Sequence, residues 1–246
     1  MRVVVLGSGT SAGVPTLGCR CEVCRSDNPR NKRMRTSGYL EAAGRRILID
    51  CGPDFRTQAL AQGVEDVDEV LLTHSHADHV GGLDDLRAFN MVHRHPITVH
   101  GAEDTLADVR ERFAYCFRPP QQEGGGLPDL RLSVITPGRP VDLGGGLTAM
   151  PIPVYHGILP ILGFRFGDFA WLTDVSRIPE ESFALLAGVK VLVTSALRHR
   201  PHPTHMSLDE AVTTARRIGA RQTWFIHMCH DLEHEATNAM LPENIQ

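Results

Sequence analysis

The residues best suited to chemistry stand together in Thr73-His-Ser-His-Ala-Asp-His79, which offers His74, His76, Asp78 and His79 as ligands. Two histidines at alternating positions of an extended segment point to the same side. Asp78 and His79 follow a turn and can face a second point close by. One tetrahedral ion cannot take all four and keep an open position, so the spacing reads as a two-ion site. The plainer alternative is a polar loop of exposed histidines. It would suit a lone histidine but explains this pattern poorly. Three further candidates stand singly after apolar runs: His156 after PIPVY, Asp174 after AWLT and His227 after TWFI. Each alone could be a satisfied polar residue at a strand end. Together they complete a two-ion shell, with Asp174 as the bridge because a carboxylate has two oxygens.

A second constellation is soft. Gly18-Cys-Arg-Cys-Glu-Val-Cys24 brings three thiols, Cys19, Cys21 and Cys24, into one short stretch. Thiolates favour a closed tetrahedral zinc site, and such a site needs a fourth ligand. Cys51 and Cys116 read as small buried apolar residues. Six cysteines in 246 residues, three of them bunched, indicate metal chemistry in a reducing compartment, hence the cytoplasm, over a disulfide framework.

The elements that must position these groups follow from pattern. Val3–Leu6, Ile47–Asp50 and Glu69–Thr73 read as buried strands, the second ending on a carboxylate and the third running into the histidine stretch. Asp54–Gly63 reads as a helix with an N-cap Asp and a C-terminal Gly. Further strands are predicted at Ile97–His100, Arg131–Ile135, Phe164–Phe166, Ala170–Thr173, Val189–Thr194 and Thr223–His227. Further helices fall near Ala102–Phe113, Pro179–Ala187 and Ser207–Ile218, the last opened by a capping box from Ser207 to Glu210. Pro119–Pro128 and Gly144–Gly146 are loop by composition. This order favours a layered α/β protein, and no linker-like break divides residues 1–246 into two domains.

Gly7-x-Gly9-x-x-Ala12 after a strand fits the dinucleotide fingerprint only formally, because Gly13-Val14-Pro15 follows where a helix should open. A turn that lets backbone pass close to another segment is the better reading. Backbone amides lining a phosphate pocket are the intermediate one. The net charge of −4 supplies no global basic field for nucleic acid. No apolar stretch approaches the length of a membrane span.

THSHADH, with the later His, Asp and His in order, resembles the H-x-H-x-D-H signature of the metallo-β-lactamase-fold hydrolases. GTSAGVP, GCRCEVC, PRNKRMRTSGYL, IDCGPDFR and GLDDLRAF are similar to the PhnP branch, over nearly the whole chain. The resemblance implies one domain with an αββα four-layer sandwich. It implies two catalytic divalent ions, Zn or Mn, one on His74, His76 and His156 and the other on Asp78, His79 and His227, bridged by Asp174. It also implies a structural zinc on Cys19, Cys21, Cys24 and His230, a clasp joining the loop 18–24 to the segment after the last strand. Cys229 competes with His230, but neighbours in an extended segment point apart, which favours His230. The implied activity is phosphodiester hydrolysis, on a substrate such as 5-phosphoribosyl 1,2-cyclic phosphate. A hydroxide between the ions would attack phosphorus in line. Asp78 and His205 are its catalytic residues, His205 assisting the leaving group, with His202 as runner-up.

Arg198, His199 and Arg200 suit either a second phosphate or a solvated turn. The basic run Arg30–Arg35 reads as structure beside the clasp. His93, His95, His100 and His234 have no ligand-like context. Rival readings are a tRNA 3′-processing endonuclease, for which Gln121–Gly126 is a weak arm, a non-hydrolytic PqqB-like protein, and a glyoxalase-type thiolesterase. The partner expected is a small phosphodiester, without membrane or long nucleic acid, and a homodimer is compatible. PhnP-like chains continue past Pro-Glu-Asn-Ile-Gln246 with a closing strand, so an edge strand is expected to be missing or supplied by a partner.

Overall fold

The computed structural model describes residues 1–118 and 126–246, so the expected loop at 119–128 and the weak arm at 121–126 fall largely outside the described residues. Six strands make a first mixed sheet in sequential order: β1 (Arg2–Gly7), β2 (Ser37–Ala42), β3 (Arg45–Ile49), β4 (Glu69–Leu71), β5 (Ile97–Gly101) and β6 (Leu130–Val134). The second mixed sheet runs in reverse order through β7 (Val141–Asp142), β8 (Thr148–His156), β9 (Leu159–Phe166), β10 (Phe169–Leu172), β11 (Val191–Ser195) and β12 (Gln222–Ile226). Two compact units divide the chain, interleaved in sequence. The first holds residues 1–6, 37–136 and 141–147, the second 7–36, 137–140 and 148–246.

In the first unit β2 and β3 form an antiparallel hairpin, after which β3, β4, β5 and β6 pair in parallel. Parallel neighbours need crossovers, and helices supply them. The parallel ladder brings the carboxyl ends of β3 and β4 to one edge, where Asp50 and His74 follow. Its core gathers Leu48, Phe55, Ala59, Val70, Leu83, Val99 and Val109.

In the second unit β8, β9 and β10 form an antiparallel meander, and β10, β11 and β12 then pair in parallel. Strands β8, β10 and β12 therefore share one direction. The residues at or after their carboxyl ends, His156, Asp174 and His227, emerge at the same edge. The helix Leu208–Ile218 lays Leu208, Ala211 and Ala215 on this core at helical spacing, beside Ile152, Leu172 and Leu192. Its capping box between Ser207 and Glu210 is formed as the sequence predicts. The helix Phe55–Gln62 ends on left-handed Gly63 as expected, but its N-cap Asp54 makes no capping bond through its side chain.

The sequence reading missed most of β8 because Pro151 and Pro153 interrupt it, and proline is unexpected inside a sheet. The structure shows why both are tolerated. Residues two apart turn their backbone groups to the same flank. The Pro151 carbonyl accepts from Gly138 N at 2.8 Å and the Pro153 carbonyl from Ser182 Oγ at 2.6 Å, so both rings face away from β9. Strand β2 was missed as well, since Ser-Gly at its start carries no strand signal.

The segment 244–246 lies along β12, with Thr223 N donating to the Asn244 carbonyl at 2.8 Å and Phe225 N to the Gln246 carbonyl at 2.7 Å. Gly9 explains the glycine-rich run: a Cβ there would stand 2.6 Å from the Arg33 carbonyl. The plain turn reading holds. Among the described residues, no helix is long and apolar enough to cross a membrane.

Candidate metal centres

The thiol cluster lies wholly in the second unit. The short helix Glu22–Arg25 is capped by Cys21, whose Sγ accepts from the Cys24 amide at 3.4 Å. This places Cys19, Cys21 and Cys24 around one imidazole, with His230 Nδ1 at 3.2, 3.6 and 3.3 Å from the three sulfurs. Cys229 is not among them. Its Sγ instead accepts from the Asp231 amide at 3.4 Å. Burial pushes the Cys24 thiol up to about 11, whereas the Cys24 amide draws Cys21 down. Three soft donors and one imidazole converging on one point fit a closed tetrahedral ion. The Arg30–Arg35 run packs here as structure: buried Arg33 donates to the Cys229 carbonyl at 3.2 Å and Lys32 Nζ to the Cys24 carbonyl at 3.3 Å.

In the first unit, His74, His76, Asp78 and His79 are brought together. The His74 ring centroid is 4.6 Å from that of His76 and 4.2 Å from that of His79. Asp50, fully buried and at φ 59°, is the anchor that the sequence did not assign. Its carboxylate accepts His79 Nδ1–H at 2.7 Å and the amide and hydroxyl of Thr73. Burial pushes the Asp50 carboxyl up, against the pull of His79. The bond to Nδ1 leaves His79 Nε2 as the lone-pair nitrogen, and it stands 3.1 Å from Asp78 Oδ2. A lone pair facing a carboxylate oxygen is relieved by a cation, so the donor set fits a metal. Gly52 permits the approach: a Cβ there would be 2.1 Å from the Asp78 carbonyl oxygen.

In the second unit, His156, Asp174, His227 and His205 meet. Asp174 and His227 hold φ of 58° and 57°, a region costly for residues other than glycine and one that clusters at functional sites. His227 Nε2 is 3.2 Å from Asp174 Oδ2. His156 Nδ1–H donates to the Thr204 carbonyl at 2.8 Å, which fixes Nε2 as its lone-pair nitrogen. The ligand atoms of His156, Asp174 and His205 lie within 4.8 Å of one another. The His205 ring is 4.7 Å from His227 and 4.5 Å from His156. Burial, then the neighbouring His227, pushes the His205 imidazole down to about 3. His202 sits 5.2 Å from His205, with its Nδ1 accepting from the hydroxyl of Thr204 at 3.2 Å.

Several histidines lie elsewhere. His95 pairs with Asp66 at 3.1 Å and His100 with Glu69 at 2.8 Å, both in the first unit. Arg198 donates to the carbonyls of Arg200 and Pro201, bracing its own loop. Asp50 and Thr204 were beyond sequence reasoning, because a carboxylate or carbonyl acting on a distant histidine leaves no local pattern.

Two such donor sets at the carboxyl edges of mixed sheets define a metal-binding α/β protein. Residues 45–228 match the family model described as beta-lactamase superfamily domain, and the chain belongs to that superfamily. The thiol cluster and His230 lie outside the matched stretch. The fold is of metallo-β-lactamase type. A solved diphosphatase from the PhnP family is similar at 40% identity and a TM-score of 0.91, covering 99% of this chain and 93% of that one. An octanoyltransferase of Porphyromonas gingivalis is 43% identical over all of this chain but only 49% of its own length. Anti-Pycsar protein Apyc1 of Paenibacillus harenae is 30% identical over 78% of this chain and 81% of its own length. The chain spans about half the length of the first curated relatives it matches.

Proposed function

We propose that this chain is a binuclear metal-dependent hydrolase that cleaves a small phosphodiester, with a cyclic ribose phosphate such as 5-phosphoribosyl 1,2-cyclic phosphate as its substrate class. The observation that carries the reading is the convergence of His156, Asp174, His227 and His205 at one sheet edge, two of them on left-handed backbone. In this reading His74, His76 and His156 would hold one ion and Asp78, His79 and His227 the other, with Asp174 as a further ligand. When bound, Zn or Mn would supply a nucleophile at neutral pH and offset charge on the phosphate oxygens. Asp50 and the Thr204 carbonyl keep the lone pairs of His79 and His156 directed outward. His205 lies beside His156 and His227 and would assist the departing oxygen by a hydrogen bond from the N–H of its neutral imidazole, burial holding the ring's proton affinity low. The thiol cluster would hold one structural zinc. The reading includes a reducing, cytoplasmic setting, since three of the six cysteines are bunched as metal ligands, and it is compatible with a homodimer.

Metal analysis tests the first half, with about three equivalents expected per chain, one of them resisting chelation. A single equivalent would leave only a structural zinc protein. Hydrolysis of cyclic ribose phosphates, 2′,3′-cyclic nucleotides and bis(p-nitrophenyl) phosphate tests the second. His205→Ala is expected to lower turnover by about two to four decades with metal content intact. Turnover near wild type would remove His205 from the mechanism. A second reading, cleavage of a diphosphate linkage, is favoured by the similarity to the PhnP-family diphosphatase. Faster turnover of dinucleoside or sugar diphosphates than of any cyclic phosphate would select it.

A further inference from the structure

The ligand segment His74–His79 is held from its buried side by Asp50 and Thr73, with Thr73 Oγ1 3.0 Å from His74 Nδ1. Its exposed side has a different support. The helix Glu103–Arg112 presents Asp108 and Arg112, one turn apart, to the single residue that separates the two histidines. Ser75 Oγ donates to Asp108 Oδ2 at 2.5 Å, and the Arg112 guanidinium donates to the Ser75 carbonyl. The short helix Ala114–Phe117 follows at once, and its Tyr115 hydroxyl donates to Asp84 Oδ1 at 2.6 Å, just beyond the ligand segment. The stretch 103–117 thus grips the segment at Ser75 and again at Asp84. All of these residues belong to the first unit.

We propose that Asp108 and Arg112 are positioning residues for metal, acting through Ser75 to fix the directions of His74 and His76. Ser75 is bonded through both side chain and carbonyl, which restrains rotation of the peptide units on either side of it. Those peptide units carry the two histidine side chains. Asp108 and Arg112 are exposed, so an ordinary surface role would make their loss nearly neutral. Supporting groups around metal ligands are worth about 10–100-fold in metal affinity, and each of the two is expected to supply about tenfold.

The inference rests on the two-ion reading, and cobalt separates their failures. Metal-stripped full-length protein, with Asp108→Ala, Arg112→Ala, Arg112→Lys and Ser75→Ala variants, is titrated with Co(II). Absorption that carries near-ultraviolet thiolate charge transfer, with the tetrahedral d–d bands that rise in step with it, reports the cysteine cluster, while d–d intensity that rises without charge transfer reports imidazole and carboxylate ligation and is the visible phase. The expected result is about tenfold weaker binding in the visible phase for the Ala variants, partial recovery in Arg112→Lys, an unchanged thiolate phase and an unchanged melting temperature of the stripped protein. Visible-phase affinity within about twofold of wild type overturns the inference. So does a loss matched by a lower melting temperature of the stripped protein, which would make the contacts general stabilisers. If wild type shows no visible phase, the two-ion reading itself fails, and the inference with it.

Discussion

The cysteine cluster and the histidine–aspartate edges are both built for metal, and they differ in nearly every physical respect. The cluster is soft, local and closed. Three of its donors come from one six-residue stretch whose helix cap is itself a donor, and none of its ligands is on left-handed backbone, which falls instead on Gly18 just before them. The edges are built of harder donors drawn from strand ends far apart in sequence. They store strain at Asp50, Asp174 and His227, and two of the ligand imidazoles are oriented by partners of their own, His79 by Asp50 and His156 by the Thr204 carbonyl. A closed thiolate shell is suited to stability. Strained strand ends with carboxylates among the imidazoles are suited to chemistry, because open positions and directed lone pairs are what a reacting group requires.

The sharpest way to break this comparison is Asp174→Asn. Asparagine tolerates the left-handed backbone but lacks the charge. Turnover of bis(p-nitrophenyl) phosphate is expected to fall by at least about three decades. The chelator-resistant metal equivalent should remain. Loss of that equivalent as well would mean the two centres are not separate.

Asp50→Asn comes next. It keeps the shape of the anchor but weakens its hold on His79 Nδ1, and affinity for the removable ions is expected to drop by about 10–100-fold in a competition titration. Unchanged affinity would make Asp50 a core polar group only.

Cys24→Ser reverses the pattern. Losing roughly 3 kcal/mol of metal-linked stability should lower Tm by about 10 °C. Turnover of the molecules that keep both catalytic ions should stay within about threefold. A fall in turnover without a fall in Tm would place the cluster in the chemistry.

The smallest effect is in pH. The Cys24 thiol, pushed up to about 11 by burial, is protonated at neutral pH without metal, so loading must displace its proton. Affinity of the cluster for zinc should therefore weaken by at least about tenfold for each unit that pH falls between 8 and 6. Chelator competition at three pH values measures it. Imidazole and carboxylate ligands ordinarily shed their protons lower, so the other ions should show a flatter dependence above pH 7.

Much of this was legible in residue types and spacing. THSHADH announces clustered ligands, GCRCEVC announces a soft tetrahedral site, and Ser207 to Glu210 announces a helix start, because each signal is carried by neighbours in sequence. His156, Asp174 and His227 could be named because each closes an apolar run. What they share, one edge of one sheet, depends on β8, β10 and β12 running in the same direction, which no local pattern encodes. Pro151 and Pro153 hid the longest strand, because their tolerance depends on bonds from Gly138 and Ser182.

The sequence alone determined which donors exist and how soft they are, since ligand chemistry belongs to the side chain. Only the tertiary structure decided their orientation. The carboxylate of Asp50 on His79, the Thr204 carbonyl on His156 and the left-handed turns at Asp174 and His227 are relations across many residues. Hydrogen bonds and backbone strain of that kind come into being only when the strands have paired.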